Sequence, residues 1–213
     1  MPDMQDELIG ILKRTGALIT DSHFVGVSGR HMDTYVNKDA LLTHPQEASR
    51  VGELFAELNK DLDVDAVIAP AMGAIILGQW TAYYLSKIQG KEILSVYTDK
   101  GEGDEQVLKR GYDKAIVGKK VLAIEDVVTT GGSVRKSIEK AKEAGATVVQ
   151  ASVMMNKDPE KVTEEAIGVP FNALATMTVA SYAEEECPLC ASGVPVNTTV
   201  GHGKKFLERK TTV

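Results

Sequence analysis

VLAIEDVVTTGGSV, residues Val121–Val134, decides how the rest of the chain is read. Val121 to Ile124 form a continuous apolar run, the pattern of a strand buried on both faces within a parallel sheet covered by helices. Glu125 and Asp126 then leave the strand's carboxyl end, where open α/β sheets bind their ligands. Thr129-Thr130-Gly131-Gly132-Ser133 follows, offering two glycines for close backbone approach and three hydroxyls just before a helical pattern begins. Backbone N–H groups at a helix start lack intrahelical partners and carry the positive end of the dipole, so this turn suits a phosphate. A Thr or Ser N-cap accounts for residues 129–133 taken alone. It leaves the acidic pair unexplained. Two adjacent carboxylates beside a buried strand repel and resist desolvation unless a hydroxyl-rich ligand or a hydrated Mg²⁺ satisfies them. A Walker loop is excluded because no Gly-Lys-Ser/Thr follows, and the dinucleotide pattern Gly-x-Gly-x-x-Gly is absent here too.

Four apolar residues, an acidic pair, two apolar residues and a Thr/Gly-rich turn together resemble the signature of the type I phosphoribosyltransferases, with no member missing. The resemblance implies that Glu125 and Asp126 hold the ribose 2′- and 3′-hydroxyls of phosphoribosyl pyrophosphate (PRPP). It implies Mg²⁺ as cofactor, reached indirectly by the same two acids. Thr129, Thr130, Gly131, Gly132 and Ser133 would hold the 5′-phosphate. The implied fold is α/β, a Rossmann-like parallel sheet flanked by helices, in a single domain spanning 1–213. Its core is expected over about 44–160, under a small hood built from about 16–43 and 161–213.

The 213 residues suffice for one α/β domain and an appendage. With 24 Lys and Arg against 30 Asp and Glu, the net charge of −6 argues against nucleic acid or an anionic membrane as the main partner. No run of 18 apolar residues occurs, and the acidic start MPDMQDELIG is unlike a signal peptide, so a cytoplasmic protein is expected. Two cysteines make no secreted-type disulfide framework.

Upstream of the motif, Leu8, Ile11 and Leu12 sit at helical spacing before Gly16, and residues 24–37 read as an irregular β segment outside the main sheet. Ser-Gly-Arg followed by Tyr-x-Asn resembles the hood segment of the orotate phosphoribosyltransferases, which implies that Ser28, Gly29, Tyr35 and Asn37 lie near the nucleobase. Pro45 precedes a helix with Val51, Leu54, Phe55 and Leu58 on one face. Asp65 to Ala69 read as a buried strand that ends in Pro70-Ala71-Met72-Gly73, and a helix follows. Small residues there admit a ligand to the backbone, and in the resembling family this loop grips the pyrophosphate, which implicates Ala71, Met72 and Gly73. Trp80, Tyr83 and Tyr84 read as packing residues.

After a strand over Glu92 to Val96, residues 97–119 mix glycine with charge, which suggests a mobile loop or hairpin suited to a lid. The resemblance implies a catalytic Lys in it. Lys100 lies closest to that position, with Lys109 and Arg110 in reserve. The orotate enzymes' loop also carries a His, whereas this chain has none between His44 and His202. The orotate enzymes also place Asp-Arg, for the substrate carboxylate, just beyond the buried strand that here reads from Thr147 to Met155. Asn156-Lys157 stands here instead, so Lys157 keeps the charge without the bidentate fork. The acceptor therefore stays open between orotate, another pyrimidine and a purine. A PRPP-sensing protein without catalysis is a further alternative. A homodimer is expected by likeness to the family.

Phe171 to Val179 read as an edge strand. Finally, Cys187, Cys190 and His202 make an incomplete zinc set, which a further His or a partner subunit would have to complete. Reduced structural thiols rank ahead of zinc here, and zinc ahead of a redox switch.

Overall fold

The computed structural model describes residues 3–26, 28–103 and 105–211, so Val27 of the expected β segment lies outside the described residues. Helix α1 (Met4–Arg14) buries Leu8, Ile11 and Leu12, and Gly16 at φ +67° lets the chain turn away from it. Four very short strands come next: β1 (Leu18–Ile19), β2 (Phe24–Val25), β3 (His31–Met32) and β4 (Tyr35–Val36). β1 pairs antiparallel with β4, and β2 with β3. After α2 (Lys38–Leu42), helix α3 (Pro45–Leu58) begins on Pro45, whose missing N–H would have had no helical partner anyway.

The remaining elements alternate strand and helix: β5 (Ala66–Pro70), α4 (Gly73–Gln89), β6 (Leu94–Lys100), β7 (Gln106–Leu108), α5 (Tyr112–Ala115), β8 (Lys120–Val128) and α6 (Gly132–Glu143). β9 (Thr147–Asn156), α7 (Glu164–Ile167), β10 (Phe171–Thr176), α8 (Pro188–Ala191) and α9 (Gly203–Thr211) complete the chain. The main sheet has the order β10-β9-β8-β5-β6-β7, parallel throughout except for β7 at one edge.

Alternation along the strands sorts the core into two layers. Val67, Leu122, Ile124 and Met154 pack with residues of α1, α3 and α4 on one face. Ala66, Ile68, Val121, Ala123 and Val153 meet Val134, Ile138 and Ala141 of α6 on the other. Each large side chain so buried contributes roughly 1.5–3 kcal/mol, which is why the continuous apolar run of β8 sits at the centre of the sheet. On the first face α3 and α4 meet at backbone level: a Cβ on Gly52 would fall 2.2 Å from Cβ of Trp80.

Two boundaries differ from expectation, each because backbone pairing continues where side-chain character changes. β8 runs on to Val128 paired with β9, so Glu125 and Asp126 lie inside the strand rather than beyond it. β6 reaches Lys100 because Thr98 pairs with both Pro70 and Leu108; residues 97–119 thus form a hairpin with β7 and a short helix. The edge strand expected over Phe171–Val179 is present as β10, which pairs parallel with β9 and ends at Thr176. Above the sheet, the bridges His23–Val196 and His31–Tyr182 join the N-terminal hairpin to the C-terminal segment. Among the described residues no helix is long and apolar enough to cross a membrane.

Candidate functional site

Glu125 and Asp126 are only 6% and 4% exposed, so their charge must be met locally. Asp126 Oδ2 is 3.0 Å from Nζ of Lys38, at the start of α2. Its Oδ1 accepts from the Val127 N–H at 2.5 Å. Burial works to lower the Lys38 pKa, but the charge of Asp126 and the hydrogen bond to it outweigh burial, and the net direction is up. Among the described residues no cation is recorded in an ion pair with Glu125. Its Oε1 accepts from the Asp126 N–H at 3.0 Å, and burial first, then the charge of Asp126, raises its pKa well above the ordinary carboxylate value. Gly73 makes the assembly fit, since a Cβ there would fall 2.2 Å from Asp126 Oδ2 and 2.7 Å from Cδ of Lys38.

Beside Glu125 lies a cavity of about 290 Å³, formed by Thr129, Thr130, Gly131, Gly132 and Ser133 with Lys136 of α6. Gly131 adopts φ +70° and presses against the next layer: a Cβ there would meet Cδ1 of Ile167 at 2.5 Å. Only glycine satisfies both conditions without displacing α7. The Arg135 guanidinium braces the turn from outside by donating to the Thr130 carbonyl at 2.9 Å. With α6 starting at Gly132, the turn presents free amides and the positive end of a helix to the cavity.

Thr129 and Thr130 also line a second cavity, of about 360 Å³, whose other walls include Ser28, Arg30, Met32, Tyr35 and Lys157. Tyr35 is held against Phe24 with ring centroids 5.4 Å apart. Lys157 Nζ lies 3.9 Å from Sδ of Met32, and burial lowers its pKa. A third cavity, of about 670 Å³, is lined by Lys38, Asp39, Ala71, Met72, Gly73, Asp99, Lys100 and Lys109. The Ala71–Met72 peptide there is cis, and the Ala71 N–H is held by the Thr98 carbonyl at 2.8 Å.

Most residues picked out from the sequence for PRPP or a base therefore line these three cavities or belong to the acidic pair itself. Three stand apart. Gly29 and Asn37 line none of the three cavities, the Asn37 backbone N–H being used by the Ala17 carbonyl. Arg110 turns to Asp99, with which it forms an ion pair, and lies over the Tyr97 ring. Lys38, Lys136 and Arg135 were missed. Lys136 sits four residues after Gly132, one turn into α6, a spacing the sequence did offer; nothing marks Lys38 as the partner of an acid 88 positions later, 126 − 38. The zinc set also differs, because Cys187 and Cys190 gather with His23 and His31 and not with His202. His202 serves through its backbone, donating to the Val25 carbonyl at 2.8 Å.

Residues 37–169 match the family model of the phosphoribosyl transferase domain. The chain is 39% identical over 195 residues to an orotate phosphoribosyltransferase of Thermotoga maritima, covering 92% of this chain and 98% of that protein. It is likewise 39% identical over 190 residues to an orotate phosphoribosyltransferase of Thermus thermophilus, with 89% and 98% covered. A crystal structure of orotate phosphoribosyltransferase from Mycobacterium tuberculosis, in complex with inorganic phosphate, superposes with a TM-score of 0.66 at 22% identity, over 83% of this chain and 97% of that one. At that identity the likeness is one of fold.

Proposed function

The chain belongs to the phosphoribosyl transferase family and is an enzyme that moves a phosphoribosyl group from PRPP to a base; from that premise we propose that the base is orotate. One observation carries this choice. Lys157 is a cation whose pKa burial has lowered, in a cavity that opens from the phosphate turn. A buried ammonium is stabilised by an anion, and orotate brings a carboxylate where uracil and the purines bring none. The orotate phosphoribosyltransferases among the relatives point the same way.

In this reading the turn Thr129–Ser133 takes the 5′-phosphate, Glu125 and Asp126 take the ribose hydroxyls, and the Ala71–Gly73 cavity takes the pyrophosphate. Ser28 and Tyr35 with Lys157 would hold the base; Gly29 and Asn37 would act through the loop that carries Ser28 and Tyr35. As the bond from C1′ to pyrophosphate oxygen breaks, positive charge grows on the ribose and negative charge on the departing pyrophosphate, while a ring nitrogen of the base bonds to C1′. Lys100 and Lys109 line the pyrophosphate cavity and oppose that negative charge. Lys38 is the cation that Asp126 holds until a sugar hydroxyl takes over. Closing the hairpin of residues 97–119 would keep water from the reacting sugar. Arg110, committed to Asp99, would steady that hairpin rather than touch PRPP.

Asp39 and Asp99 in the lining of the pyrophosphate cavity fit a hydrated Mg²⁺, which Glu125 and Asp126 would reach only through water. When bound, Mg²⁺ neutralises pyrophosphate charge. The proposal includes a homodimer, supported by the exposed apolar side chains Ile76 and Tyr83 along α4. It places the enzyme in pyrimidine nucleotide biosynthesis.

Measuring pyrophosphate release from PRPP with orotate, uracil, adenine and hypoxanthine tests the base, and orotate is expected to be turned over fastest. Lys157→Met is expected to raise the orotate KM about tenfold or more, the scale of a lost charge-assisted hydrogen bond, with little change in the PRPP KM. Equal KM values for orotate in the two proteins would remove Lys157 from base recognition.

A further inference from the structure

We propose that His23, His31, Cys187 and Cys190 form a closed tetrahedral zinc site that cross-links the N-terminal hairpin to the C-terminal segment. The ligand atoms of these four residues all lie within 4.8 Å of one another. Cys190 Sγ is 3.4 Å from His31 Nδ1 and 3.8 Å from His23 Nε2, and Cys187 Sγ is 3.7 Å from His23 Nε2. For Zn–S of about 2.3 Å and Zn–N of about 2.0–2.1 Å, a tetrahedron has edges of roughly 3.3–3.8 Å between its ligand atoms. These three sulfur–nitrogen separations already have that size, and the widest separation in the set, at most 4.8 Å, closes by about 1 Å. The two imidazole nitrogens, 2.7 Å apart, need to separate by about half an ångström, a small ring rotation.

The surroundings favour the same assignment. His23 Nδ1 is 2.8 Å from the Val194 carbonyl, which fixes the proton on Nδ1 and leaves the Nε2 lone pair directed at the two sulfurs and His31. Such a backbone carbonyl behind a ligating imidazole is the usual means of orienting it. Cys187 opens the turn that becomes α8, and its carbonyl accepts from the Ala191 N–H at 3.1 Å, which folds Cys190 back beside it. His23, His31 and Cys187 are at most 2% exposed. Two thiolates balance the charge of Zn²⁺, so the loaded site is neutral and suits burial, whereas oxygen-seeking Mg²⁺ or Ca²⁺ finds no donor of its kind in this set. Four protein ligands leave no open position, which makes the site structural rather than catalytic.

The ligands come from segments that the family match over residues 37–169 does not include. They clamp β2 and β3 to the segment around Val194 and Val196, reinforcing the bridges His23–Val196 and His31–Tyr182. Binding energy from a site assembled only in the folded chain adds directly to folding stability.

The test uses the full chain, purified without a histidine tag and without chelator, with metals quantified by mass spectrometry. One zinc per chain is expected, retained through dialysis and reduced about tenfold or more in Cys187→Ser/Cys190→Ser, while His202→Ala keeps its zinc. Should the double variant fail to fold, the wild-type chain stripped by chelator and titrated with Co²⁺ gives the answer. A tetrahedral thiolate site produces intense visible bands and a sulfur-to-metal charge-transfer band. Chain that remains metal-free after zinc is supplied, an octahedral Co²⁺ spectrum, iron in place of zinc, a native Cys187–Cys190 disulfide, or zinc content indifferent to loss of both cysteines would each overturn the assignment. None of these outcomes depends on which base the enzyme uses.

Discussion

At the carboxyl end of β8 the polar groups hang from a strand that β5 and β9 flank at Val121–Ala123 and that β9 alone follows to Val128, whereas the strands of the hood are two residues long and meet the C-terminal segment at isolated bridges. The first region tolerates a buried carboxylate with a raised pKa because the surrounding apolar layers hold it in place. The second has few layers to lean on. Its order comes from contacts between ends of the chain: the Arg30 guanidinium donates to Ser181, and His31 packs against Phe206 with centroids 4.9 Å apart. A rigid floor for the sugar phosphate and a lightly anchored cover for the base follow from that contrast.

The contrast breaks most sharply at the acidic pair. Glu125→Gln with Asp126→Asn is expected to lower turnover by about 10³-fold while the fold persists, since electrostatic groups aimed at developing charge act on that scale. Pyrophosphate release and PRPP titration check it; unchanged affinity and rate would count against the roles given to both acids. Next in size, Leu122→Ala should cost about 2–5 kcal/mol of unfolding free energy, as large-to-small changes in a packed layer do. Urea denaturation measures this, and hydrogen exchange sharpens it: amides of β8 and β9 should open only with global unfolding, those of β2 and β3 through smaller openings. If the hood amides proved as protected as the sheet, the two regions would be one cooperative unit.

The smallest expected effect concerns pH. Below the ordinary pKa of 4.5 Glu125 holds its proton in both folded and unfolded chains and affects stability equally in each. As pH rises through 4.5 the unfolded chain releases that proton first, so stability falls until the raised folded pKa is passed. Glu125→Gln should therefore gain stability at neutral pH and lose the gain under acid conditions. Urea midpoints for both proteins below pH 4.5 and at pH 7 decide the matter.

Much of this floor was legible in the sequence, because the apolar run Val121–Ile124 and the glycines at 131 and 132 report burial and close approach directly. The end of β8 was not, since Glu125 to Val128 keep pairing with β9 through backbone groups that side-chain character does not advertise. The hood resisted for another reason. Two-residue strands are too short to display a period, and Cys187 meets His23 across 164 positions, so neighbouring His202 looked the better partner. The Lys38–Asp126 pair joins an unremarkable lysine to an acid in a different element, which spacing within either element cannot signal.

Gly52 carries a mechanical consequence. Because α3 and α4 abut there without an intervening side chain, even one methyl group at residue 52 would have to part the two helices. Gly73 both lines the third cavity and opens α4, so a shift provoked there enters a helix already seated against α3.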